Sequence, residues 1–178
     1  MTAPTLVELL AEYDRALGYT HDLTADLTAD EVAWRAGENA SAIGWHLGHQ
    51  AAVAHFMIRN LTAAEPEIDP ELDRLMDSAT AEPDRGAIPD LRRLHDYRDA
   101  VAERVRYRIG NIDSGKVGAP NQLRVIAANL LVAVIDHEYQ HDKWIGEVRE
   151  GVHGRVLPPG PASSLLTTID GYLLLRPR

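Results

Sequence analysis

Apolar side chains recur every three or four positions along four long stretches of this chain, the spacing that aligns one face of an α-helix. The first stretch predicts a helix from about Leu6 to Thr24, with Leu6, Leu10, Tyr13, Leu17 and Thr20 on its stripe. Thr5-Leu6-Val7-Glu8 reads as a capping box at its start, hydroxyl and carboxylate each satisfying a backbone N–H of the first turn. Thr28-Ala29-Asp30-Glu31 repeats that pattern and predicts a short helical turn before Trp34. A second long helix is expected after Ser41, a residue suited to the N-cap. It should run to about Leu61, with Trp45, His49, Ala52 and Phe56 on one face. The third is predicted from about Pro89 to Ile109, with Pro89 in the first turn and Gly110 just past the end. The fourth, from about Asn121 to Gly151, carries the longest seam: Leu123, Ile126, Leu130, Val134, His137, His141, Trp144 and Val148.

The connection from Thr62 to Gly86 is acidic and holds Pro66, Pro70 and Pro83. It is long for a helix-to-helix link and would serve as a crossover between two parallel helices of a bundle. After the fourth helix, Pro158-Pro159-Gly160-Pro161 stops helical structure, and two apolar runs flank Asp170-Gly171 as in a β-hairpin. A lone hairpin is marginal in water, so it should pack on the bundle or on a second subunit. The pattern predicts an all-α four-helix bundle over residues 1–155 and a small extension over residues 156–178.

At 178 residues the chain can bury a sizeable single core. Its net charge of −9 argues against a general nucleic-acid binder, which needs a basic surface. No apolar run is long enough to span a bilayer and no leader pattern opens the chain, so neither a membrane partner nor export is expected. The absence of cysteine excludes disulfides, thiolate ligands and a cysteine nucleophile, and fits a cytoplasmic setting. Eight histidines are then the chemistry left to follow.

His137 and His141 stand four apart on a predicted helix, so their rings are about 40° apart in angle and about 6 Å apart along the axis. Two imidazoles so placed can share one cation. Both fall in the apolar seam, where an unpartnered polar ring would be costly. A third ligand is sought on the second helix, in Trp45-His46-Leu47-Gly48-His49. His49 shares the stripe of Trp45 and Ala52 and is preferred; His46 is assigned to the helix flank or to a supporting role. Three neutral imidazoles leave a cation one open position. Zinc leads among the candidates, with nickel, iron or cobalt also compatible with nitrogen ligands. His55 is placed on the opposite side of the helix, and His21, His95 and His153 among solvated polar residues.

His137-Glu138-Tyr139-Gln140-His141 also spells the HExxH pattern of zinc proteases. The downstream ligand of such enzymes is missing: Trp144 and Glu147 occupy the compact version's positions, and no Glu follows Glu150. Glu138, about 100° round the helix from His137, is kept as the candidate catalytic residue, able to reach a metal-bound water. The plainer alternative is a solvated carboxylate.

Taken together, Ser41-Ala42-Ile43-Gly44-Trp45-His46-Leu47-Gly48-His49 and Asp136-His137-Glu138-Tyr139-Gln140-His141-Asp142-Lys143-Trp144 resemble the DinB-like superfamily of damage-inducible metal-binding bundles. The likeness covers about residues 5–150. It implies an up-down-down-up arrangement with the long connection between the second and third helices, and a metal on His49, His137 and His141. It also implies a homodimer. Several branches of the family are thiol-dependent transferases or isomerases that use mycothiol or bacillithiol. The expectation is a metal-dependent transferase in which a low-molecular-weight thiol attacks a small electrophilic substrate. A metal-dependent hydrolase and a non-catalytic metal-binding stress or interaction protein are the alternatives.

Overall fold

Both capping boxes close. Thr5 Oγ1 accepts from the Glu8 N–H at 3.2 Å and the Glu8 carboxylate accepts from the Thr5 N–H at 2.7 Å, opening α1 (Leu6–Thr24). Thr28 and Glu31 do the same at 3.4 and 2.7 Å ahead of α2 (Ala29–Ala33). In the computed structural model, which describes residues 3–62, 65–80 and 86–176, four more helices follow. They are α3 (Ile43–Ile58), α4 (Pro70–Leu75), α5 (Leu91–Asp113) and α6 (Pro120–Gly151); β1 (Leu166–Ile169) and β2 (Tyr172–Leu175) then form a small antiparallel hairpin. The fold is all-α apart from that hairpin.

Several boundaries differ from expectation, each for a local reason. α3 begins after Ala42, which makes no side-chain cap, so Ser41 is not its N-cap, and the helix stops at Ile58 rather than Leu61. α5 begins after Asp90, whose carboxylate accepts from the Arg93 N–H at 2.8 Å. A side-chain cap on a first-turn N–H sets that boundary, leaving Pro89 outside. Gly110 lies within α5, and the left-handed backbone after its end falls at Gly115, φ 74°. The crossover contains α4, where Asp69 accepts from the Glu71 and Leu72 N–H groups, both at 3.1 Å. Pro83 lies outside the described residues.

The four long helices share one core, with Leu9, Tyr13 and Leu23 from α1, Leu47 and Ile58 from α3, Leu94 and Ile109 from α5, and Leu131 and Ile135 from α6. α6 packs against α1, α3 and α5 at once. Its buried sector is therefore broad and rotated from the expected seam: Ala127, Leu131 and Ile145 are buried, whereas Ile126 is 46% exposed. Phe56, expected inward on α3, is 73% exposed.

Polar groups occupy the middle of this core. Thr20, Gln50, Arg98, Glu138 and Asp142 are all buried, and they come from α1, α3, α5 and α6. Arg98 ion-pairs with Glu138 and donates to the Leu47 carbonyl at 2.9 Å and to Gln50 Oε1 at 3.0 Å. Gln50 donates to the Glu138 carbonyl at 2.9 Å and to Asp142 Oδ1 at 3.0 Å. The Thr20 hydroxyl lies 2.7 Å from Glu138 Oε1 and 2.8 Å from Asp142 Oδ1, with one proton to give. One guanidinium thus faces two carboxyls. Burial, then the Glu138 charge, pushes the Asp142 carboxyl well above the usual carboxylate range. A proton on Asp142 would balance the charge of the cluster, and Asp142 Oδ2 is buried with no hydrogen-bond partner among the described residues.

The hairpin turns at Asp170 (φ 51°) and Gly171 (φ 81°), the pair of left-handed residues a two-residue hairpin turn requires. Leu166 pairs with Leu175 and Ile169 with Tyr172. The hairpin lies on α6 of its own chain: the Leu175 N–H donates to Asp136 at 2.7 Å, and Lys143 Nζ sits 5.0 Å from the centre of the Tyr172 ring.

Substituting the two carboxylates should have unequal effects. Asp142→Asn keeps the size of the side chain without a second buried charge beside Glu138 and should change stability by less than about 1 kcal/mol. Glu138→Leu strands Arg98 and should cost about 3–5 kcal/mol. Urea denaturation of both variants checks the difference.

Candidate metal centre

α3 and α6 lie side by side and bring His49, His137 and His141 together. One ring nitrogen from each falls within 4.8 Å of the others. His137 Nε2 and His141 Nε2 are 3.1 Å apart, and the His49 ring centre lies 5.2 and 5.1 Å from those of His137 and His141. His49 and His141 are buried and His137 is half-buried.

The hydrogen bonds around the triad fix which nitrogens face inward. His49 Nδ1 lies 2.6 Å from the Met76 carbonyl oxygen. A carbonyl only accepts, so Nδ1 carries the hydrogen and Nε2 keeps its lone pair. His141 Nδ1 lies 2.7 Å from His46 Nδ1, and with the proton on His141 its Nε2 is likewise a free donor of electrons. Such outer partners are what orient metal-binding imidazoles. The indole of Trp45 stacks on His49 with ring centres 4.3 Å apart and 12° between planes, and Trp144 meets His141 edge-on at 4.9 Å. Gly48 lets the crossover come close: a Cβ there would lie 2.5 Å from Met76 Sδ.

Burial, followed by the influence of neighbouring imidazoles, lowers His137 to about 4 and His141 to about 2. Both are neutral at pH 7, the form that ligates. The donor set suits a borderline divalent cation. Two nitrogens sharing a tetrahedral zinc at its usual bond length are about 3.3 Å apart, close to the 3.1 Å between His137 and His141.

A family profile of the DinB superfamily matches residues 12–145 of this chain. The chain belongs to the DinB superfamily. The match spans α3 and α5 completely and most of α1 and α6, includes both histidine segments, and stops before the hairpin. No curated protein matches the chain. No helix among the described residues of this DinB protein is long and apolar enough to cross a membrane.

Glu138, expected to face a metal-bound water or solvent, does neither. It points into the polar core, where Arg98 and Thr20 hold its carboxylate, and it is not among the groups that converge on the triad. His55, expected on the side of the helix away from His49, is buried there, 3.5 Å from Asp73 Oδ1 and receiving Arg104 at Nε2, 2.9 Å away. His95 is partly buried against His21, with ring centres 4.9 Å apart, and His153 Nε2 is buried as well. The Met76 carbonyl leaves no mark in a sequence, because every residue carries one. His46 was legible as a flank residue, and its three-residue offset from His49 is what lets it back His141 from the same helix.

His46→Phe should weaken divalent-metal affinity by about 10–100-fold, read by competition with a chromogenic chelator, because His141 loses the group that fixes its proton. The metal-free protein should also become less stable as pH falls. Above the ordinary imidazole value of about 6.5 both states are neutral; below it the unfolded chain takes protons that folded His137 and His141 refuse until about 4 and 2. Stability is therefore complete above pH 6.5 and lost progressively beneath it. Between pH 7.5 and pH 5 the wild type should lose about 2 kcal/mol more than His141→Gln in paired urea melts.

Proposed function

We propose that this DinB protein holds one divalent cation on His49, His137 and His141 and acts as a transferase that joins an external low-molecular-weight thiol to a small electrophile. The observation that carries this reading is the hydrogen bond from His49 Nδ1 to the Met76 carbonyl, which commits the opposite nitrogen to the triad. Zinc is the leading cation, and the four long helices are read as an up-down-down-up four-helix bundle. Homodimerisation and a cytoplasmic setting rest on the family likeness and the composition alone.

When bound, a divalent ion would supply Lewis acidity that lowers the pKa of a thiol brought against it. The chain's residues do the rest. Three imidazoles hold the site and leave a side for the thiol, which must come from outside because the chain has no cysteine. Trp45 and Trp144 wall the rings and limit water. The sulfur would bond to the electrophilic carbon as the leaving group departs with its electron pair. Hydrolysis is less favoured, because Glu138 is held by Arg98 and Thr20 and is not placed to take a proton from water at the triad.

Elemental analysis should find about one equivalent of metal per chain in the wild type and less than about a tenth in His137→Ala. Conjugation of 1-chloro-2,4-dinitrobenzene with mycothiol, bacillithiol and glutathione, before and after chelator treatment, tests the transferase. Metal-dependent turnover with one of them is expected. A metal-loaded protein inert with all three would reject the transferase and leave a binding protein.

A further inference from the structure

The triad meets two cavities. The larger, about 550 Å³, lies between α3 and the crossover and reaches His49. It meets that ring beside Met76, whose carbonyl already engages Nδ1. The second, about 450 Å³, lies between α6 and the hairpin and has His137 in its wall, the triad member with most solvent access. Its other walls are Asp136 and Gln140 from α6 and Ile169, Asp170, Tyr172 and Leu174 from the hairpin.

From this placement we infer that the α6–hairpin cleft is the entrance to the candidate metal centre, and that the hairpin selects uncharged or cationic amphipathic thiols over anionic ones. The inference rests on the metal-centre reading above and adds the ligand path and its charge preference. Three observations support it. The hairpin lies beyond residues 12–145, so the wall it builds is an addition to the part of the chain shared with the family. It is fixed in place, by the Leu175 N–H on Asp136 and by Lys143 over Tyr172, and so presents a formed surface. Among the described residues lining the cleft, none is Arg or Lys, while two are Asp. An anionic group entering there would pass Asp136 and Asp170, and the nearest side-chain cation, Lys143 over Tyr172, is already paired with Glu147; short of the metal itself it would lose hydration without recompense. Ile169 and Leu174 offer an apolar surface to the uncharged part of a ligand, and Gln140 and the Tyr172 hydroxyl offer hydrogen bonds.

Three small thiols of similar size serve as probes: cysteamine (cationic), 2-mercaptoethanol (neutral) and 3-mercaptopropionate (anionic). Each is titrated into the cobalt(II)-substituted full-length protein, and binding is read from the sulfur-to-cobalt charge-transfer absorption. In the wild type, 3-mercaptopropionate should bind about tenfold more weakly than the other two, a gap that narrows as salt is raised. Ile169→Lys places a cation at a site already 45% exposed, so little packing is lost. It should narrow or reverse the gap by about fivefold, with the ligand-field spectrum unchanged. Thr168→Lys, on the other face of the same strand, adds the same charge away from the cleft and should leave the order as in the wild type. Equal affinities for all three thiols, or identical responses of the two lysine variants, would overturn the cleft assignment while leaving the metal centre standing. Failure of the wild type to take up cobalt would overturn both.

Discussion

A buried guanidinium facing two carboxyls sets the arrangement of this molecule. Arg98 of α5 reaches Glu138 of α6 and the Leu47 carbonyl of α3 directly and, through Gln50 of α3, the Glu138 carbonyl and the Asp142 side chain of α6. Thr20 brings α1 into the same cluster. Apolar contacts alone would let a long helix such as α6 settle at several rotations about its axis, because much of its circumference is hydrophobic. Buried polar groups do not tolerate that freedom, since each turn away from register would leave a charge or a hydrogen-bond donor unpaired at a cost of several kcal/mol. Glu138 and Asp142 each immediately follow a candidate ligand. The contacts that hold the carboxyls in the core therefore also aim His137 and His141 at α3. The glutamate of the HExxH pattern serves here to index the helix.

The site repeats that economy at shorter range. Each of two buried imidazoles is held by a second group on its far nitrogen, a carbonyl for His49 and another imidazole for His141. The rings are oriented before any cation arrives, and burial keeps them unprotonated. Both effects lower the cost of binding, one by limiting the motion that must be lost and the other by removing protons that would have to leave.

Much of this was readable in the sequence, for identifiable reasons. Capping boxes at Thr5 and Thr28 and the Asp170-Gly171 turn depend on near neighbours, and all three form as the residues dictate. Helical spacing placed His137 and His141 on one face, and the family resemblance paired His49 of another helix with them. What failed depended on three-dimensional neighbours. Ile126 and Phe56 carry the right hydrophobicity at the right period, yet the position of the adjoining helices leaves them exposed. Glu138 looked solvated because the charge that balances it lies forty positions away, at Arg98. The burial of His55, on the side of α3 away from His49, depends on Asp73 of the crossover and Arg104 of α5. The backing of His49 by Met76 could not be read at all, since it involves main-chain oxygen.

That last contact has an evolutionary consequence. A carbonyl survives every substitution at its own position, so drift in the side chain at residue 76 would leave the hydrogen bond to His49 available wherever the backbone path is kept. The backbone path itself is fixed by the number of residues between the two helices and by the missing side chain at Gly48. Lineages of this fold should therefore tolerate changes of letter in that connection far better than changes of length, and an insertion or deletion there would retune the imidazole without altering a single ligand.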